Sequence, residues 1–152
     1  MKKQRRTIGA VVEIPLDDGT HCYGIVLEDA SVGVFKVKTN ENLEIPDILN
    51  KEVLFIVAVY NEAITSGRWK KVGKVQLDGR FEVLPLKFIQ DSHDATSIDI
   101  YNPNTGEITP STKEECMGLE CAAVWAAEHV ESRIIDYFNN KENVWVKQLA
   151  LK

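Results

Sequence analysis

Three cysteines and three histidines are all the thiol and imidazole chemistry that this 152-residue chain carries. Cys22, Cys116 and Cys121 are odd in number and show no CxxC spacing, so neither a disulfide framework nor a zinc site is indicated. Free thiols fit a reducing cytoplasm. His21, His93 and His129 show no HxH or HExxH spacing, and no metal role follows from them. The glycines are scattered without a GxGxxG or P-loop pattern, which excludes the common phosphate cradles. No apolar run approaches the ~20 residues of a membrane span. The basic start, MKKQRR, is followed by an apolar run of only five residues, Ile8 to Val12, too short for a signal-peptide core of about 7–15. A basic excess is missing as well. The 18 Lys+Arg against 23 Asp+Glu give a net charge of −5, which disfavours non-specific nucleic-acid binding.

What is present is an ordinary globular composition, 44% apolar and 27% charged, in a length that suits one domain. We expect a core over about 8–139, a basic N-terminal arm over 1–7 and a tail over 140–152. Residues 10–16 and 20–28 flank Asp17-Asp18-Gly19, a strong hairpin signal, because Gly accepts the positive φ that tight turns require. Residues 32–38 alternate Val34, Lys36 and Lys38 with Phe35 and Val37, so one face should be wet. The continuous apolar run 53–60 predicts a central strand buried on both faces. A strand over 72–77 runs into a second Asp-Gly pair, Asp78-Gly79. Short strands over 86–90 and 97–101 precede the turn cluster Asn102-Pro103-Asn104-Thr105-Gly106, so a second hairpin is expected.

The last third turns helical. Thr112 and Glu115 have capping-box spacing, and Gly118 suits a helix stop. Over 126–139, Val130, Ile134, Tyr137 and Phe138 form an apolar stripe, with Glu128, Glu131 and Asp136 placed largely off it. The predicted architecture is α+β: a strongly bent, partly barrel-like antiparallel sheet with a C-terminal helix packed on it.

Candidate chemistry is sparse. His21 and Cys22 are neighbours on a strand and point to opposite faces, so His21 is no base for Cys22. A hydrolase built on Cys22 or Cys116 would need a reactive thiol. Arg68, Trp69, Lys70 and Lys71 interleave an aromatic with cations, as base-stacking surfaces do, which makes a small nucleic-acid-binding barrel the alternative function. The plainer reading is a loop that Trp69 anchors to the core. The charge map is more informative: residues 76–120 hold three basic and nine acidic groups, which accounts for the whole negative excess. Asp91, Asp94, Asp99, Glu107, Glu114, Glu115 and Glu120 are the candidate partner-binding residues, since an acidic patch attracts a basic partner.

IGAVVEIPLDDG…YGIVL (8–27), VLFIVAV (53–59), SGRWKKVG (66–73) and ECMGLECAAVWAAEHVESRI (115–134), in that order, resemble the bacterial immunity protein 26 family of polymorphic toxin systems. The resemblance implies a cytoplasmic protein that binds and neutralises a cognate toxin, with no catalytic residues and no cofactor to carry over. Gly19, Tyr23 and Gly24 match its first hairpin, Gly67, Arg68 and Trp69 its middle motif, and Trp125, His129, Glu131 and Arg133 its helix motif. These are residue types expected to hold the fold. The expected partner is a toxin domain, possessing a basic nuclease site in the sharpest form of the hypothesis. No nucleic acid, membrane or metal is expected, and the oligomeric state is open.

Overall fold

The computed structural model describes residues 1–152. In chain order the elements are β1 (Ala10–Pro15), β2 (His21–Val26), β3 (Ser31–Phe35), α1 (Ile45–Leu49), β4 (Val53–Val59), α2 (Glu62–Thr65), β5 (Lys70–Lys74) and α3 (Gly79–Glu82). They continue with β6 (Lys87–Gln90), β7 (Ile98–Tyr101), β8 (Ile108–Ser111), α4 (Lys113–Cys116), β9 (Glu120–Cys121), β10 (Val124–Trp125), α5 (Ala127–Phe138) and α6 (Val144–Gln148). A six-stranded sheet has the order β10-β4-β3-β2-β1-β5, and a four-stranded sheet the order β8-β7-β6-β9. Pairing is antiparallel except for the two-residue strands β9 and β10, which lie parallel to β6 and β4. The fold is therefore α+β, as expected. The barrel-like element of that expectation is corrected: neither sheet closes. The edges of the larger sheet are β5 and the two-residue β10, which do not pair, and the sheet buries both faces under other segments.

Period-two alternation distributes the apolar residues between those faces. Val12, Ile14, Cys22, Val26, Val32, Val34 and Val57 face a cluster closed by Trp69, Trp125, Val130 and Ile134. The intervening Val11, Tyr23, Ile25, Leu27 and Phe35 face a second cluster, closed by Ile48 of α1, Phe81 of α3 and Leu84. His21 and Cys22 indeed fall on opposite faces, since Tyr23 bonds His21 while Cys22 lies in the first cluster. The four-stranded sheet has a small core of its own, Phe88, Ile98 and Cys116, on which Leu151 packs.

Double coverage overturns two strand expectations. β3 ends at Phe35 and is dry on both faces; Lys36 and Lys38 lie beyond its end. β4 is not the central strand: β2 and β3 are the fully buried pair, while Val53, Leu54 and Ile56 are only half-buried, because the two-residue β10 covers β4 only at Ala58 and Val59. Continuous hydrophobicity reports burial on both faces but not rank within the sheet. The strand expected at 72–77 lies at Lys70–Lys74, at the edge of the sheet, and pairs with β1 across a bulge. Asp78-Gly79 opens the helical turn α3 rather than a hairpin, because Asp78 is extended and Phe81 N–H donates to its carbonyl.

The first hairpin forms as read. Pro15 pairs with His21, and Gly19 N–H donates to Leu16 O at 3.2 Å while Gly19 adopts φ +85°. This is a three-residue loop of the turn-plus-bulge kind. The β7–β8 hairpin follows across the Asn102–Gly106 cluster. Thr112 caps α4 by accepting from Glu115 N–H, and Gly118 follows at φ +85°. The basic arm docks rather than floats. Gln4 donates to Trp69 O and accepts from Lys71 N–H, and Arg6 donates to Leu27 O and Ser31 O. Gly67 is where this docking is tightest. It has φ +86°, and a Cβ there would lie 2.1 Å from Lys2 O.

Two outcomes follow. Gly67→Ala combines left-handed strain with a backbone clash and should cost more than about 1–2 kcal/mol in urea unfolding. Trp125, 4% exposed, fills the first cluster, and Trp125→Ala should cost about 3–5 kcal/mol by the same measurement.

Candidate functional site

The polar chemistry concentrates at two carboxylate–guanidinium pairs and one acidic rim. α5 presents Val130 and Ile134 to the first cluster, and Glu131 beside Val130 goes inside with them, at 5% exposure. The expectation that Glu131 lies off the apolar stripe is corrected here. Arg68 donates from Nε to Oε2 at 2.8 Å and from an Nη to Oε1 at 2.7 Å, and Trp69 donates from Nε1 to Oε2 at 2.9 Å. A buried carboxylate with a bidentate guanidinium and a third donor is satisfied. The pairing holds the Arg68 guanidinium above its ordinary value. This triad joins α5 to the loop ahead of β5. It also removes the stacking surface on which the nucleic-acid reading depends. The Trp69 ring is fully buried, and Arg68 is spent on Glu131.

The second pair ties α5 to the smaller sheet. Arg133 binds both oxygens of Glu120, at 3.0 and 2.7 Å, while its guanidinium lies 3.8 Å from the centre of the Phe55 ring and 5.1 Å from that of Trp125. Glu120 is therefore a bracing residue. His129 stacks on Trp145 of α6 at 3.8 Å. The Tyr23 hydroxyl accepts from Leu43 N–H and donates to Glu41 O. Gly24 sits opposite Val34 in the sheet. The motif residues thus occur where the chain is held together.

Register divides the remaining acidic candidates. Gln90, Ile98 and Ser111 are aligned across β6, β7 and β8, so the 91–97 loop and α4 share one end of the small sheet. Asp91, Asp94, Glu114 and Glu115 gather there, all exposed. Three of the four also serve local structure: Asp91 accepts from His93 and Asp94 N–H, Asp94 from Thr96, and Glu115 from the Thr112 hydroxyl. The Thr96 bonds hold the Asp94 carboxyl below its ordinary value. Asp99 is half-buried within β7, and Glu107 is exposed at the opposite end of the sheet.

Thiol and metal chemistry find little purchase. Cys22 is fully buried, and burial pushes its thiol from 9.0 up to about 12; burial raises Cys121 as well. No three His, Cys, Asp or Glu side chains converge on one point. No helix is long and apolar enough to cross a membrane.

The scaffold is thus α+β and covered on both faces of its larger sheet, with two ion pairs bracing α5 and exposed carboxylates at one end of its smaller sheet. The sequence model of immunity protein 26 matches residues 7–99, and the chain belongs to that family. Membership suggests a toxin-neutralising function, a toxin as partner and a non-catalytic role. No curated protein and no solved structure matches the chain.

Glu131→Ala strands the buried Trp69 N–H and leaves Arg68 unpaired, so unfolding should shift by about 3 kcal/mol. Arg68→Ala strands the carboxylate instead, and the double variant should cost less than the sum by more than about 1 kcal/mol. Cys22 sets an alkaline limit. Its folded value lies above its unfolded one, so the folded state keeps the proton longer, and stability falls as pH rises from 9.0 towards about 12. Cys22→Ala should flatten that fall in denaturant titrations, and native Cys22 should resist iodoacetamide.

Proposed function

We propose that this chain neutralises a cognate bacterial toxin by binding it in the cytoplasm, without catalysis, as part of a polymorphic toxin system used in competition between bacteria. The observation that carries the reading is the family match over residues 7–99. We place the partner-facing surface at the acidic rim formed by Asp91, Asp94, Glu114 and Glu115, with Asp99 and Glu107 as flanking charges. Glu120 is withdrawn from that surface, because its carboxylate is committed to Arg133. A rim of exposed carboxylates suits a partner whose functional surface is basic, and a nuclease toxin has one where it binds phosphates. Carboxylates set in that place steer encounter and exclude the substrate.

Capture on the tagged protein, elution by a salt step and mass spectrometry identify the partner, and affinity is then measured against the purified toxin domain. Asp91→Asn, Asp94→Asn and Glu114→Gln together remove three charges while keeping side-chain acceptors for the loop. This variant should bind about tenfold more weakly at low salt, with a shallower salt dependence. Glu107→Gln, at the far end of the sheet, should have a smaller effect. Unchanged affinity in the triple variant would exclude the rim, and capture of nucleic acid with no protein would overturn the immunity reading.

A further inference from the structure

Two segments far apart in sequence form one basic surface. The arm carries Lys2, Lys3 and Arg5, and β5 carries Lys70, Lys71 and Lys74. The fold lays the arm along the strand. Gln4 N–H donates to Thr65 O at 3.1 Å, the Gln4 side chain spans Trp69 O and Lys71 N–H, and Lys71 Nζ donates to Thr7 Oγ1 at 2.7 Å. Lys71 is half-buried, and the other five cations are exposed. None of them takes part in an ion pair. Carboxylates are few beside them. Glu13 stands opposite Lys70 but is half-buried and faces His21 at 3.7 Å, Glu28 acts on Arg6, and Glu62 lies near Met1. Cations gathered without counter-ions repel one another, and they make a strong local field for an anionic partner.

Two aliphatic side chains stand among these cations. Val72 has no partner where the register of β5 on β1 shifts, and it is 40% exposed; Ile8, beside Lys74, is 38% exposed. The Trp69 ring is buried, so this surface offers no aromatic for a nucleobase to stack on. Cations interleaved with aliphatic groups match an anionic lipid interface: headgroups meet the ammonium and guanidinium groups, and the aliphatic groups enter the acyl boundary. A nucleic-acid backbone would leave the aliphatic groups unused.

Sheet order separates this surface from the acidic one. The small sheet meets the large one where Asp29, Ala58 and Val124 lie beside Lys87 and Tyr101. From β4 at that junction, β5 is four strand steps away, about 19 Å along the sheet. The acidic rim lies at the Gln90 end of β6, on the far side of the junction. Exposed charges so far apart are screened from each other, because the Debye length is about 8 Å at physiological ionic strength. A planar anionic surface therefore draws in the β5 edge and turns the rim away.

We propose that the arm and the β5 edge form a docking surface for the anionic lipid headgroups of a membrane, which holds the molecule at the bilayer with its acidic rim facing outward. Such a contact is peripheral and needs no spanning helix. The proposal stands independently of the toxin reading, because vesicles alone test it.

The full-length protein is sedimented with vesicles of phosphatidylcholine and, separately, with vesicles that also contain phosphatidylglycerol. Binding is expected to the anionic vesicles only, and it should fall as salt is raised. Lys3→Gln, Arg5→Gln, Lys70→Gln and Lys74→Gln together neutralise four exposed side chains. Urea unfolding of this variant should stay close to that of the parent, while vesicle affinity drops about a hundredfold or more. Val72→Ser should weaken binding about threefold. Neutralising Asp91, Asp94 and Glu114 should leave vesicle binding undiminished. No sedimentation with anionic vesicles at low salt, or sedimentation unaltered by the four substitutions, overturns the proposal. Retention of duplex DNA in place of vesicles also overturns it and assigns the surface to nucleic acid.

Discussion

The carboxylate of Glu131 is carried by α5 onto the apolar face of the larger sheet, where an ion left alone would cost several kcal/mol. Arg68 and the Trp69 indole meet it from the loop ahead of β5, and this group, with the β10–β4 pairing and the packing of Val130 and Ile134, fixes the last third of the chain to the first two-thirds. Much else follows from the arrangement. Trp69 is held in the core, which fixes the start of β5 on β1. The N-terminal arm then closes over the same segment through Gln4. The pair contributes specificity of docking as well as attraction: a helix set in a wrong register would bury the same charge without donors.

Arg133 and Glu120 do the corresponding work two residues further along α5, towards the smaller sheet. The two pairs differ in setting. Arg68 keeps 39% of its side chain in contact with solvent, while the Arg133 side chain retains 14% and lies against the rings of Phe55 and Trp125. Planar, weakly hydrated guanidinium suits that half-apolar position better than an ammonium would. The ion pairs are thus consumed by architecture. The net acidic excess lies in residues 76–120, much of it exposed on the loops and α4 of the small sheet.

That division gives the molecule a stable body and a separable surface. The family match ends at residue 99, within the small sheet, and the elements after it supply α4, the Glu120 brace and all of α5. On such a plan an exposed charge away from the core can be substituted at a cost of only about ±0.5 kcal/mol to the scaffold.

The sequence by itself determined the local features. Asp17-Asp18-Gly19 made its turn, Thr112 and Glu115 made their cap, Val130 and Ile134 marked the buried side of α5, and the negative excess was confined to one stretch. Each depends on residues a few positions apart, within reach of φ/ψ preference, capping or helical periodicity. Tertiary structure decided the rest. Glu131 reads as a solvated charge until Arg68 and Trp69, more than sixty residues earlier, are brought to it. Lys36 and Lys38 read as a wet face until β3 is seen to end before them, and the 53–60 run reads as central until the sheet order puts β2 and β3 there. Lys87 shows the same limit: no pattern within 86–90 marks a lysine that is only 2% exposed, because the turn and strand end that cover it come from elsewhere in the chain. Burial of a charge is a property of what packs against it, and partners distant in sequence leave no local period to read.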